Sequence, residues 1–264
     1  MIEPEIAVLM PIYNPADGLK ECLDSLRSQT VPFRLFLVDD GSKNKVDYAA
    51  FTKGMDCRII ELPKNLGITG AMNVGLSEIL KSNFKYIARV DYPDISDPRR
   101  FEKQATFLNA HPDYCMVGCA TNYHYTQSGL TVRAKNPESY EDCVRAMRYN
   151  APLTHGAIMF RRNFWHELGQ YTDQYPAAED YAMECYAFGK GYKFGNLPEA
   201  LYTTIEIQQS ISVVSRAKQL RSRLRLQWRY ADILSIHSYL GILRTLLLVY
   251  GPVNLLRRIR SLTG

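Results

Sequence analysis

What most restricts this chain is an alternation. From Ile6 to Pro98, short apolar runs take turns with helix-patterned stretches, and each run stops at a polar signal. Ile6 to Met10 is apolar throughout and is closed by Pro11, the pattern of a strand buried on both faces. Leu19, Cys22, Leu23 and Leu26 follow at the spacing of one helix face, behind Asp17, which is placed to cap it. Further strands are expected over Leu35 to Val38, Arg58 to Leu62 and Tyr86 to Val90, with a glycine-punctuated helix over Ala71 to Leu80 before the last of them. Strands alternating with helices in this way build a parallel, right-handed βαβ sheet. Such a sheet binds its ligands beyond the carboxyl ends of its strands.

The polar signals fall at those ends. Pro11-Ile12-Tyr13-Asn14 follows the first strand, Asp39-Asp40-Gly41-Ser42 the second, Asn65-Leu66-Gly67 the third, and Asp91 with Asp94 the fourth. A carboxylate fixed at Asp40 or Asp39 selects the N–H and O–H donors of a base or ribose, although Asp-Gly-Ser is also good turn chemistry with no ligand at all. Asp91 and Asp94 supply hard oxygens that suit Mg2+ or Mn2+ on a diphosphate. The alternative is that Asp94, Ser96 or Asp97 caps a helix that opens at Pro98 and runs to Ala110. Glu179-Asp180 opens another expected helix, reaching Phe188, where paired acids suit the helix dipole whether or not they do chemistry. Between these helices, Met116 to Ala134 reads as short strands, Ser139 with Asp142 as a capping box for a helix through Tyr149, and Ala157 to Phe160 as a strand.

A hydrophobic content of 46% and a charged content of 22% over 264 residues describe a chain able to bury a sizeable core. Its formal charge of +5 is unevenly spread, because from Val214 onward ten Lys and Arg face a single acid, Asp232. The sequence changes character there, which gives an expected domain over residues 1–212 and a basic, amphipathic helical tail over 213–264. In that tail Leu220, Leu224, Trp228, Ala231 and Leu234 form an apolar stripe at helical spacing, flanked by arginines. Ile242 to Tyr250 is apolar too, but shorter than the roughly 20 residues a bilayer requires. The combination fits either an amphipathic segment lying on an anionic membrane surface or a helical pair packed on the domain or on a dimer partner. The opening MIEPEIAVLMPIYN has neither the basic start nor the small-residue cleavage site of a secretion signal. A cytoplasmic location, peripheral at the inner face of the cytoplasmic membrane, is therefore expected. The six scattered cysteines are expected to be reduced and mostly buried.

In order along the chain, LMPIYN, VDDGS, NLGITGAMNVGL, ARVDYPDISDPRRFEKQ, LTHGAIMFRR, AAEDYAM and QQSIS resemble the family 2 glycosyltransferases of the GT-A fold, especially bacterial enzymes that build surface polysaccharide or lipopolysaccharide. The tail carries little of this resemblance. It implies an α/β protein with a Rossmann-like, mostly parallel sheet flanked by helices and a C-terminal helical extension. It implies further that Pro11, Tyr13 and Asp40 hold the nucleotide base, that Asn65 and Gly67 belong to the same donor site, and that Asp91 lies near the ribose and diphosphate. Asp180 matches the general base that takes the proton of the acceptor hydroxyl, while His155 and Glu179 fall on the acceptor or phosphate side. Family members usually read Asp-Ala-Asp-Asp where this chain reads Asp91-Tyr92-Pro93-Asp94, so a proline stands at the usual metal ligand. Asp91 with Asp94 is expected to hold the Mn2+ or Mg2+, the alternative being Arg or Lys neutralising the diphosphate.

The function expected from this resemblance is an inverting transfer of sugar from a UDP- or dTDP-linked donor to a lipid-linked saccharide. The competing expectation is a catalytically degenerate GT-A protein that binds nucleotide sugar or glycan without turnover, for which Pro93 is the hint. Nucleic acid is not an expected partner, because the arginine-rich tail comes with no recognised nucleic-acid module.

Overall fold

The computed structural model describes residues 4–206 and 215–250, so the QQSIS block and the expected boundary near 212 lie outside the described residues. The first part alternates as the sequence does, through β1 (Ile6–Ile12), α1 (Leu19–Arg27), β2 (Phe33–Asp39), α2 (Tyr48–Phe51), β3 (Cys57–Glu61), α3 (Gly67–Ile79) and β4 (Tyr86–Arg89). These four strands pair in parallel in the order β3-β2-β1-β4, with Ile12 opposite Asp39 and Leu9 opposite Arg89. β1 is buried at every position. Its Ala7 and Leu9 join the cluster containing Met72, Leu76 and Ile79 of α3, whereas Ile6, Val8 and Met10 join Leu19, Leu23 and Leu26 of α1. Burial on both faces is the reason its sequence does not alternate.

The chain continues through β5 (Ile95–Ser96), α4 (Arg100–Ala110), β6 (Tyr114–Tyr125), β7 (Leu130–Arg133), α5 (Tyr140–Met147), a 3-10 turn at His155–Ala157, β8 (Met159–Arg161), α6 (Arg162–Leu168), α7 (Glu179–Gly189) and β9 (Lys193–Glu206). β8 runs antiparallel between β4 and β6, and β9 runs parallel to β6, extending the sheet to nine strands. The sheet is thus parallel over its N-terminal strands and mixed beyond them, with helices on both faces.

Several local expectations change. Asp17 does not cap α1: Gly18 occupies that position at φ 92°, and the Asp17 carbonyl instead accepts a hydrogen bond from Tyr92 Oη at 2.7 Å. α3 starts at Gly67 rather than Ala71. β9 has no signal in the sequence because Gly195, Asn196 and Pro198 interrupt it, and register shifts around Ala120 absorb the irregularity. Ser139 does cap α5, its Oγ accepting from Asp142 N at 3.1 Å. All six cysteines are free thiols.

The basic segment is two helices, α8 (Arg216–Arg229) and α9 (Ile236–Tyr250). The expected stripe therefore breaks, because α8 ends before Ala231 and Leu234. Leu220, Ser222, Leu226 and Gln227 are the buried residues of α8, while Trp228 is 68% and Leu234 91% exposed. Ser222 Oγ donates to the Pro176 carbonyl at 2.9 Å, Gln227 Nε2 to that of Arg148 at 2.8 Å, and the Arg148 guanidinium to that of Tyr230 at 2.6 Å. The pair is docked on the domain by these bonds and by Leu226, which joins the main core.

Candidate active site

The ends of β1 and β2 are laced together by short loops. Asp40 N donates to the Ile12 carbonyl at 2.9 Å, Asn14 N to Ser42 Oγ at 2.7 Å, and Lys43 N to Asn14 Oδ1 at 2.8 Å. Asp40 is only 4% exposed, and its Oδ1 accepts from Leu66 N at 2.7 Å, which fixes the loop leading into α3. Burial pushes the Asp40 carboxyl up, against the opposing pull of the Leu66 and Gly67 N–H groups. Gly41 is obligatory here: it sits at φ +67°, and a Cβ would collide with the Lys64 and Asn65 backbone. Asn65 Oδ1 accepts from Gly67 N at 3.2 Å. Pro11, Asp40, Asn65 and Gly67 are thereby gathered at one edge, with Tyr13 beside them, 42% exposed.

The Asp91 to Asp94 turn closes on itself through Asp94 N and the Asp91 carbonyl at 2.9 Å. Tyr92 and Pro93 clamp it to the loop between β1 and α1. Ala16 N donates to Tyr92 Oη at 2.8 Å, and the Pro93 ring lies where a Cβ on Gly18 would be 3.2 Å away. Asp91 is ion-paired with Arg89, whose side chain is 1% exposed, whereas the Asp91 side chain is 36% exposed. Arg100, fully buried, donates to the Gly156 carbonyl at 3.0 Å and to the Arg89 carbonyl at 2.7 Å, tying this strand end to the His155 turn. A Cβ on Gly156 would stand 2.9 Å from Asp91 Oδ2, so that turn lies directly over the carboxylate.

Asp180 and Glu179 open α7 and diverge. Asp180 lines a cavity of about 500 Å3 together with His155, while Glu179 lines a second one of about 360 Å3 beside Tyr171. Asp180 Oδ1 accepts from Tyr181 N at 2.6 Å, and no ion pair engages its carboxylate among the described residues. Burial raises its pKa and the like charge of Asp91 adds to the rise, with the Tyr181 N–H and the Arg223 charge acting against it. Burial and the Asp180 charge push Glu179 up to about 7. His155 Nε2 bonds Tyr171 Oη at 2.8 Å, and burial with the Arg89 charge holds its pKa well below 6.5, leaving a neutral imidazole. Asp91, Glu179 and Asp180 thus form one electrostatic group, with His155 beside it under the Arg89 charge, while the Asp40 group occupies the neighbouring strand ends.

Divalent ions need several hard oxygen ligands. Asp94 is spent differently from the expected ligand role: it is 6% exposed, its Oδ1 accepts from Ile205 N at 2.9 Å, and burial with the Asp91 charge pushes its carboxyl up to about 7. It is a strut holding β9. No group of three or more His, Cys, Asp and Glu able to hold a metal forms among the described residues. The residues fit a cation in minimal form, with Asp91 as the exposed carboxylate of this turn and the substrate's diphosphate and water completing the shell.

Sequence reasoning missed Arg89, Arg100, Tyr171 and Tyr202, whose Oη accepts from Asp91 N at 3.0 Å. Arg89 did leave a signal, as a lone charge inside an apolar strand.

Residues 7–169, more than half of the chain, match the family model described as Glycosyl transferase family 2. The chain belongs to that family. Among relatives of this glycosyltransferase, the amylovoran biosynthesis glycosyltransferase AmsE of Erwinia amylovora is 30% identical over 201 residues, 74% of each chain. The UDP-Gal:alpha-D-GlcNAc-diphosphoundecaprenol beta-1,3-galactosyltransferase of Escherichia coli is 22% identical over 246 residues, 90% of this chain and 88% of that one. S. aureus TarS 1–349 in complex with UDP-GlcNAc superposes with a TM-score of 0.67 at 17% identity, covering 92% of this chain and 72% of TarS 1–349. The mannosyltransferase PcManGT of Pyrobaculum calidifontis, in complex with GDP-Man and Mn2+, gives 0.67 at 17% identity, covering 92% and 69%. At such identities the likeness establishes the fold, which is GT-A.

Proposed function

We propose that this family 2 glycosyltransferase moves a sugar, with inversion, from a UDP- or dTDP-linked donor to a lipid-linked saccharide in surface polysaccharide synthesis. The observation that carries the reading is Asp180, a carboxylate with raised proton affinity and no ion pair among the described residues, on the wall of a cavity large enough for a saccharide. A base so placed takes the acceptor proton while its oxygen attacks the anomeric carbon from the side opposite the leaving group. One carboxylate in this position makes one displacement, hence inversion, and its presence weighs against a binding protein without turnover. Pro11, Tyr13, Asp40, Asn65 and Gly67 form the donor edge, Asp40 orienting the base while anchoring Leu66. His155, as a neutral imidazole in the Asp180 cavity, is a hydrogen-bonding partner for the acceptor, and Glu179 faces the adjacent cavity with its own proton affinity raised by burial and the Asp180 charge. Asp91 would hold the Mn2+ or Mg2+, which supplies positive charge to the leaving diphosphate when bound.

Residues 1–212 are taken as the transferase domain and 213–264 as its membrane-facing extension. No helix among the described residues is long and apolar enough to cross a membrane. α9 nevertheless leaves Tyr239, Leu240 and Leu243 exposed at 55%, 46% and 53%, an apolar face next to a basic segment that suits an anionic bilayer at the cytoplasmic side.

Asp180→Asn tests the assignment. Transfer from the UDP-sugar is expected to fall by about 10²–10⁴-fold while donor affinity, read by calorimetry, stays within about twofold. Undiminished turnover would remove Asp180 from the base role.

A further inference from the structure

The cavity beside Asp180 has a second charged wall. Arg216 and Arg223 of α8 and Arg244 of α9 line it, against Asp180 as the one acid among the described lining residues. None of the three guanidiniums has a hydrogen-bonded or ion-paired partner among the described residues, and Arg244 Nε is buried without one. They also feel each other: burial lowers the pKa of Arg223 and the charges of Arg244 and Arg216 lower it further, against the opposing pull of Tyr181 and Asp180. Three like charges gathered with a single counter-charge carry an uncompensated electrostatic cost, which a bound anion relieves. Guanidinium forks match phosphate oxygens two at a time, and several converging forks match a diphosphate better than a single carboxylate.

The described residues that line it all lie from Tyr123 onward, and the donor edge at β1 and β2 is not among them. An anion held there is therefore on the acceptor side of the base. We propose that Arg216, Arg223 and Arg244 bind the diphosphate of the acceptor and so place the saccharide it carries at Asp180. The inference rests on the glycosyltransferase reading and gives its acceptor a chemistry, a saccharide diphosphate with an apolar tail. The E. coli relative is named for an acceptor of this kind. Leu243 and Leu246, exposed at 53% and 37% on either side of Arg244 in α9, would set the lipid end toward the bilayer while the diphosphate stays in the cavity.

The test titrates the full-length protein, saturated with UDP, with inorganic pyrophosphate in a calorimeter. Pyrophosphate is expected to bind with UDP in place. Arg223→Gln and Arg244→Gln should each weaken it by about tenfold or more, and Arg216→Ala, at an exposed position, by about threefold, with UDP affinity unchanged. Pyrophosphate that UDP displaces, or UDP affinity that falls with the arginines, would assign the cavity to the donor's diphosphate and overturn the proposal. Unchanged pyrophosphate affinity in all three variants overturns it as well. Flotation with phosphatidylglycerol vesicles, which also measures the proposed membrane contact, should be equal for wild type and Arg223→Gln. Loss of flotation with pyrophosphate binding intact would make the arginines a lipid-headgroup site instead. Should wild type bind neither UDP nor dTDP, the proposed donor reading falls, and pyrophosphate titrated without nucleotide still reports on the cavity.

Discussion

At the ends of β2 and β4 the acids marked by the sequence are bonded within the protein: Asp39 to Ser42, Asp40 to Leu66, Asp91 to Arg89 and Asp94 to Ile205. Across the cleft, Arg216, Arg223 and Arg244 line their cavity with no such partner among the described residues. The two walls use charge in opposite ways. On the donor side, internal hydrogen bonds fix the loops before any substrate arrives, and the cost of ordering them is met at folding. On the acceptor side, charge is held apart for a ligand, so it adds nothing to folding and much to binding. Substitutions on the first wall should therefore be felt in stability, and those on the second in affinity.

The largest stability effect is expected at Arg100, the buried guanidinium that joins Gly156 and Arg89 and lies 4.8 Å over the Tyr202 ring. Arg100→Met leaves two carbonyls unpaired and should cost about 3 kcal/mol or more in urea unfolding, against less than about 1 kcal/mol for Arg223→Gln. Equal losses at the two positions would erase the contrast between the walls. Asp94 is the next sharpest case, because it separates strut from ligand. Asp94→Asn keeps an oxygen for Ile205 N, so a strut tolerates it: turnover restored by Mn2+ or Mg2+ after EDTA should stay within about threefold of wild type. A ligand would lose metal activation by about 100-fold. Turnover that EDTA leaves untouched in wild type would take the cation out of the mechanism altogether.

Legibility followed the same division. β1, β2, β4 and the acids after them could be read because both-face burial writes continuous apolar runs, and because a parallel sheet puts the ends of its strands on one edge. Arg100 was invisible as a site residue and Arg89 showed only as a lone charge in an apolar strand, since the carbonyls they bond, at Leu9, Gly156 and Arg89, come from other segments and a sequence carries no address for such contacts. The same holds for Tyr202, placed under Asp91 by β9, a strand whose glycine and proline hide it. In the tail the arginines stood out but their purpose did not. The stripe ending at Leu234 suggested one long helix, and only the break after Arg229 folds α9 back so that Arg244 meets Arg223.

The smallest expected effect lies between the walls, at Glu179. Folding raises its carboxyl from 4.5 to about 7, through burial first and the Asp180 charge second. A raised carboxyl favours the folded state in its protonated form, so its contribution to stability is complete below about pH 4.5 and is lost as pH rises through about 7. Glu179→Gln fixes the uncharged form. It should therefore raise stability at pH 8 by on the order of 1–2 kcal/mol and leave it unchanged near pH 4, as read from thermal midpoints. The Asp180 charge is the second cause of that rise, so Asp180→Asn should move the Glu179-linked loss of stability to lower pH. A loss that stays where it is in that variant would make the two cavities electrostatically separate.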